Sequence, residues 1–137
     1  MKNLKNKVVI LTGALGLLGK SIAQSLAKEK AIIIMLDIKK NNDIKKVKEY
    51  KLIKNNLYYY KCDVTKIKEI KKIAKIVYNK FRKIDILINA AAITDAVEKK
   101  TNPEFSKFEN FSLKDWSKSI NINLNSMFLC SQVLEKK

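Results

Sequence analysis

Three glycines, Gly13, Gly16 and Gly19, recur at intervals of three in ILTGALGLLGKSI, residues 10–22, between an apolar run and an amphipathic one. A strand that enters a helix through residues without side chains leaves unpaired backbone N–H groups at the helix start, where the positive end of the dipole also points. The natural occupant is a diphosphate. Gly13 permits the tight turn, Gly16 clears the approach of the pyrophosphate, and Gly19 lets the helix lie close to the sheet. Asp37 then falls eighteen residues beyond Gly19, at the end of the next apolar run. A carboxylate there accepts hydrogen bonds from the adenosine ribose hydroxyls and repels a 2′-phosphate, so the expected cofactor is NAD rather than NADP. Lys39 and Lys40 pull the other way, since either could pair with an added phosphate. A Walker loop is the competing phosphate motif, and Gly19-Lys20-Ser21 supplies its end; its first glycine would fall at residue 14, which is alanine.

The elements that must position these groups are legible as periodicity. Residues 8–11 are a short β-branched run of the kind buried on both faces of a parallel sheet. From Leu17 the pattern turns helical through Leu18, Ile22, Ala23 and Leu26, and residues 31–37, AIIIMLD, form a second strand. Residues 41–56 carry a weak helical stripe of Ile44, Val47 and Leu52, and LYYYKC, residues 57–62, reads as a third strand. Thr65 is placed to cap a helix whose apolar face is Ile70, Ile73, Ala74, Val77 and Phe81, with lysines on its wet side. IDILINAAA, residues 84–92, is a fourth strand, residues 94–111 a loop, and a last helix runs from Ser112 through Trp116, Ile120 and Leu124. Strand and helix alternate four times, which is the order of an α/β fold with a parallel sheet. Right-handed crossovers put Gly13, Asp37, Asp63 and Asn89 together along the carboxyl edge of that sheet.

Composition bounds the rest. With 137 residues, 47% of them hydrophobic, and no linker-like stretch or internal repeat, residues 1–137 make one domain. The net charge of +16 suggests a nucleic acid, but its distribution argues against one. Arg82 is the only arginine, the lysines lie on every predicted helix and turn, and no basic run is interleaved with stacking aromatics. Cys62 and Cys130, with no histidine in the chain, make neither a disulfide framework nor a metal site. The N-terminal apolar run is too short for a signal peptide or a membrane span, so a reducing cytoplasm is expected.

At four places in order the chain resembles the short-chain dehydrogenases/reductases: VVILTGALGLLG, CDVT at 62–65, IDILINAAA, and DWSKSININLNSMFLCSQ at 115–132. The resemblance implies a Rossmann-like doubly wound sheet in an oxidoreductase acting on a hydroxyl or keto group of a small molecule, homo-oligomeric when complete. Carried over by position, it puts the pyrophosphate on the segment from Thr12 to Gly19, with Leu18 beneath the cofactor, and the adenosine ribose on Asp37. Asp63 would flank the adenine through its side chain and Val64 through its backbone, with Asn89 and Ala90 near the nicotinamide ribose. Asn123 would be the helix asparagine whose backbone carbonyl holds a water in the proton relay. Read singly, Thr12 could simply end a strand, Asp63 start a helix, and Asn123 be one polar residue among Ser119, Asn121 and Asn125. The chain departs from the commonest pattern at Leu17, where a glycine is usual, and at Asn89-Ala90-Ala91-Ala92, where Asn-Asn-Ala-Gly is usual.

The family's tyrosine, with a lysine four residues later, should follow the strand after the Asn123 helix. Tyr50 and Lys54 have that spacing but precede the third strand, and the sequence stops at Lys137. The expectation is therefore a sheet truncated after about four strands: the NAD-binding portion of a longer oxidoreductase, inactive alone. A nucleotide-binding or interaction module without catalysis is the alternative. The stretch SKFENFSLKDW also resembles family members associated with bacterial surface-sugar pathways, which implies a sugar or sugar-like acid as substrate.

Overall fold

A computed structural model of the chain describes residues 4–40, 56–93, 109 and 111–135. Among these, β1 (Val8–Thr12), β2 (Ile32–Asp37), β3 (Leu57–Lys61) and β4 (Ile86–Ile88) form one sheet in the order β3-β2-β1-β4. Every pairing is parallel. Helices α1 (Leu17–Lys28) and α2 (Ile67–Phe81) follow β1 and β3; α3 (Leu113–Ile120), a π turn (Asn121–Asn125) and α4 (Ser126–Leu134) follow β4. No described helix is long and apolar enough to cross a membrane.

The sheet is covered on both faces, which is why its central strands are apolar at every position up to their last residues, Thr12 and Asp37, rather than alternately. Residues i and i+2 of a strand share a face, so Val9, Leu11, Ile33 and Met35 meet Ala23 and Leu26 of α1. The alternate set, Val8, Ile10, Ile34 and Leu36, meets Ile70, Ile73 and Val77 of α2 and Cys130 and Leu134 of α4. The predicted apolar face of α2 is thus the one it buries, and α2 ends in a left-handed residue, Arg82, whose amide reaches the Tyr78 carbonyl at 2.9 Å.

Several details differ from expectation. Residue 31 is not in β2, because the Ala31 amide closes α1 onto the Leu26 carbonyl. Thr65 does not cap α2: its hydroxyl donates to Asp63 Oδ1 at 2.7 Å, and Lys66 occupies the cap position. β4 is only three residues long, since beyond it the amides of Ala90 and Ala91 turn to the Thr12 side chain instead of to a strand. The last helix begins as read, with Ser112 Oγ accepting from the Asp115 amide at 3.1 Å, but its stripe through Trp116 and Leu124 is exposed. The face it buries is Ser126, Cys130 and Leu134, set by packing on α2. The helix expected over 41–56 and the loop over 94–111 fall almost wholly outside the described residues.

Candidate functional site

β2 and β3 lie to one side of β1, and β4 to the other, so the strand order reverses between β1 and β4. A crevice opens at such a point in any doubly wound sheet. Here it is a cleft of about 460 Å³, walled by Gly13 and Gly16 after β1, Asp37 to Lys39 after β2, Cys62 to Thr65 after β3, Ala90 to Ile93 after β4, and Lys118, Asn121 and Ile122 of the last helix.

The three glycines do different work. Gly13 has φ of +64°, and a Cβ on it would stand 2.5 Å from the Ala90 carbonyl oxygen and 2.7 Å from Ala91 Cα. A Cβ on Gly19 would overlap the Gly13 carbonyl oxygen and lie 2.8 Å from Ala14 Cα. Both positions bring backbone against backbone. Gly16 meets only the Gly13 oxygen, at 3.1 Å, and it faces the cleft as the residue that caps α1. An α-helix leaves its first amides without intrahelical partners, and Gly16 has no side chain with which to take them. The amides of Leu17, Leu18 and Gly19 are the donors at that helix start, while the side chains of Leu17 and Leu18 stand 87% and 71% exposed.

Asp37 is 8% exposed and already bonded. Its Oδ2 accepts from the Leu15 amide at 2.8 Å and its Oδ1 from the Lys39 amide at 3.2 Å. The carboxylate therefore ties the glycine loop to the end of β2, and these two bonds use about half of its acceptor capacity. Asp63 is similarly engaged: Oδ1 takes the Thr65 amide and hydroxyl, while its own amide donates to Glu69 Oε2 at 2.8 Å. Val64 is buried in the wall beside it. Burial also pushes the neighbouring Cys62 thiol up to about 12, so the wall presents a protonated thiol.

Of the residues singled out in the sequence, Gly13, Gly16, Asp37, Asp63, Val64 and Ala90 come together around the cleft. Thr12, Leu18, Gly19 and Asn89 are not in its wall. Thr12 is buried, and its Oγ accepts from the Ala90 and Ala91 amides at 3.0 and 3.1 Å, which pins the chain after β4 to the end of β1. Asn123 pins the same chain further on: Oδ1 accepts from the Ile93 amide at 2.9 Å, and Nδ2 donates to the Ile93 carbonyl at 3.0 Å. The sequence reading missed Ile38, Lys118 and Ile122 in the wall. Lys118 and Ile122 are four residues apart, one helical turn, and that spacing was the available signal.

A family model described as short chain dehydrogenase matches residues 7–137. The chain is 35% identical over 132 residues to the 3-oxoacyl-(acyl-carrier-protein) reductase FabG of Buchnera aphidicola subsp. Baizongia pistaciae, covering 96% of this chain and 49% of that protein. A structure from Haemophilus influenza, a candidate D-mannonate oxidoreductase with bound NAD, matches with a TM-score of 0.78 at 29% identity, over 96% of this chain and 50% of that one. A short chain dehydrogenase from Leptospira borgpetersenii with bound NAD+ matches with a TM-score of 0.78 at 30% identity, over 96% of this chain and 46% of that one. The chain spans about half the length of the curated relatives it matches.

Proposed function

The chain belongs to the short-chain dehydrogenase family, and from that premise we propose that it is the NAD-binding portion of an oxidoreductase acting on a hydroxyl or keto group. The observation that carries this reading is one cleft holding both Gly16, bare at the start of α1, and the buried carboxylate of Asp37. A side chain at residue 16 would fill the diphosphate's place, and a carboxylate suits ribose hydroxyls while repelling a 2′-phosphate. NAD is accordingly preferred to NADP. The same cofactor in two structural relatives supports the choice.

Bound there, NAD would supply a hydride acceptor for an alcohol. The chain's own residues bind and orient. The segment from Gly13 to Gly19 holds the diphosphate, with the amides of Leu17, Leu18 and Gly19 as donors, and Thr12 ties the chain after β4 to the strand end from which that segment leaves. Asp63 and Val64 flank the adenine, and Asn89 and Ala90 border the nicotinamide ribose. Asn123 fixes the segment at Ile93 and offers its backbone carbonyl to a water in the proton path. No tyrosine in these 137 residues has a lysine four positions later in the register that proton transfer needs. Losing such an acid/base forfeits about two to four powers of ten in rate, so the 137 residues alone turn over no alcohol. The complete protein would be a cytoplasmic homo-oligomer with a small-molecule substrate.

For that substrate we favour a sugar or sugar acid, on the likeness of SKFENFSLKDW and of the D-mannonate relative. The 35% identity to the acyl-carrier-protein reductase supports a second reading, a 3-oxoacyl thioester. Calorimetric titration of the chain with NAD and NADP tests the cofactor, and a folded chain that binds neither refutes it. For a full-length protein, NAD reduction with sugar phosphates, nucleotide sugars and 3-hydroxyacyl thioesters decides the substrate; turnover confined to thioesters overturns the sugar.

A further inference from the structure

The register change in the last helix leaves its trace on one carbonyl. In an α-helix the Ser126 amide would donate to the carbonyl four residues back, that of Ile122. It donates instead to Asn121, one residue further, as a π turn requires. The Ile122 carbonyl thereby loses the amide that the α register would bring to it. The Ser126 hydroxyl donates to that carbonyl at 2.6 Å, from a side chain only 2% exposed. One residue thus serves two carbonyls, Asn121 with its N–H and Ile122 with its O–H.

The consequence falls on Asn123, inside the same turn. One residue more or less in a helical turn rotates the helix before it by about 100° relative to the helix after it. The later part is held: Cys130 and Leu134 of α4 are buried against α2. The direction in which Asn123 leaves the helix therefore depends on the register, and so does its two-point bond to Ile93. We propose that Ser126 is the positioning residue that holds the π register and, through it, the Asn123 clamp on Ile93. Its weight in function rests on the reading of the chain after β4 as the nicotinamide side of the site. Alanine has the higher helix propensity, and it lacks the hydroxyl that makes the π register acceptable to Ile122. An unpaired carbonyl favours the competing α register, in which the amide itself returns to Ile122. Threonine keeps a hydroxyl that can bond four residues back.

The test is NMR on the 137-residue chain. In the wild type, couplings across hydrogen bonds should run from the Ser126 amide to the Asn121 carbonyl and from the Ile93 amide to the Asn123 side-chain carbonyl. In Ser126→Ala the second coupling should vanish, and exchange of the Ile93 amide should quicken roughly tenfold as its hydrogen bond is lost. Helix content and melting temperature should stay near wild type, and Ser126→Thr should restore both signals. An unchanged Ile93 to Asn123 coupling in Ser126→Ala overturns the proposal, and so does a wild-type Ser126 amide that couples to Ile122. Should Ser126→Ala not fold, the wild-type couplings decide alone, Asn121 supporting and Ile122 overturning. None of these signals involves a ligand, so a wild type that fails to bind NAD sinks the cofactor reading without touching them.

Discussion

Asp37 is the residue whose replacement separates the two jobs it holds. One is internal: the carboxylate accepts the Leu15 amide at 2.8 Å in a setting where Asp37 is 8% exposed, and the Lys39 amide at 3.2 Å. The other is the proposed grip on the adenosine ribose. In Asp37→Ala, losing the short bond to an ionised acceptor costs about 1.5–3 kcal/mol, and the longer one about 0.5–1.5 kcal/mol. For a domain of this size each kcal/mol moves Tm by roughly 3–5 °C, so Asp37→Ala should melt about 6–20 °C early. Asp37→Asn keeps one carbonyl oxygen for Leu15 and should lose about half as much. On affinity the two variants should agree. Replacing a carboxylate that receives ribose hydroxyls costs about 1.5–3 kcal/mol, roughly a 10–100-fold weaker Kd for NAD, whereas NADP, relieved of repulsion, should bind no worse. Thermal melts give the first effect and calorimetric titration the second. Wild-type NAD affinity in a folded Asp37→Asn would refute the ribose role. A wild-type Tm in Asp37→Ala would show that the Leu15 bond carries no weight.

Gly13→Ala and Gly19→Ala should each cost about 1–3 kcal/mol by driving a methyl into backbone, with about 1–2 kcal/mol more at Gly13 for its positive φ. Gly16→Ala should melt near wild type and Gly16→Val should lose NAD; a wild-type Tm in Gly19→Ala would contradict the packing argument. At the other end of the sheet, Lys83 at 2.8 Å, the Val8 amide at 2.8 Å and Lys7 at 3.0 Å hold the Asp85 carboxyl well below the usual carboxylate range. Its folded pKa is lower than its unfolded one, so its stabilisation is complete above about pH 5 and drains away as pH falls further. Both lysines are half exposed, which keeps each pair to about 1 kcal/mol or less. Asp85→Asn should therefore flatten the fall of Tm between about pH 5 and pH 2, and an unchanged acid limb would remove Asp85 as its source. Burial pushes Cys62 up to about 12 and Cys130 up to about 11. Neither thiol should react with a thiol reagent at pH 8 until the chain unfolds, and rapid labelling of the folded protein would show that the wall at Cys62 opens.

What this chain's sequence settles by itself is what local pattern can encode. Unbroken β-branched runs demand burial on both faces, so β1 and β2 stood out, and the three-and-four spacing of Ile70, Ile73, Ala74 and Val77 named the buried face of α2 before any contact was known. The glycine interval and an acid at the next strand end located the cleft for the same reason, because a turn that must expose backbone excludes side chains wherever it is placed. Tertiary structure decided which groups complete one another's hydrogen bonds across the chain. Nothing near Asp37 in sequence says that its carboxylate takes the amide of Leu15, and nothing near Thr12 says that its hydroxyl ends β4 by taking the amides of Ala90 and Ala91. The last helix shows the division most sharply. Its residues read as one helix with an apolar stripe through Trp116 and Leu124, yet it buries Ser126, Cys130 and Leu134 and changes register just before them, over Asn121–Asn125. A helical period specifies faces only relative to one another; the partner helix decides which face is turned inward, and where the two demands conflict the backbone yields by one residue.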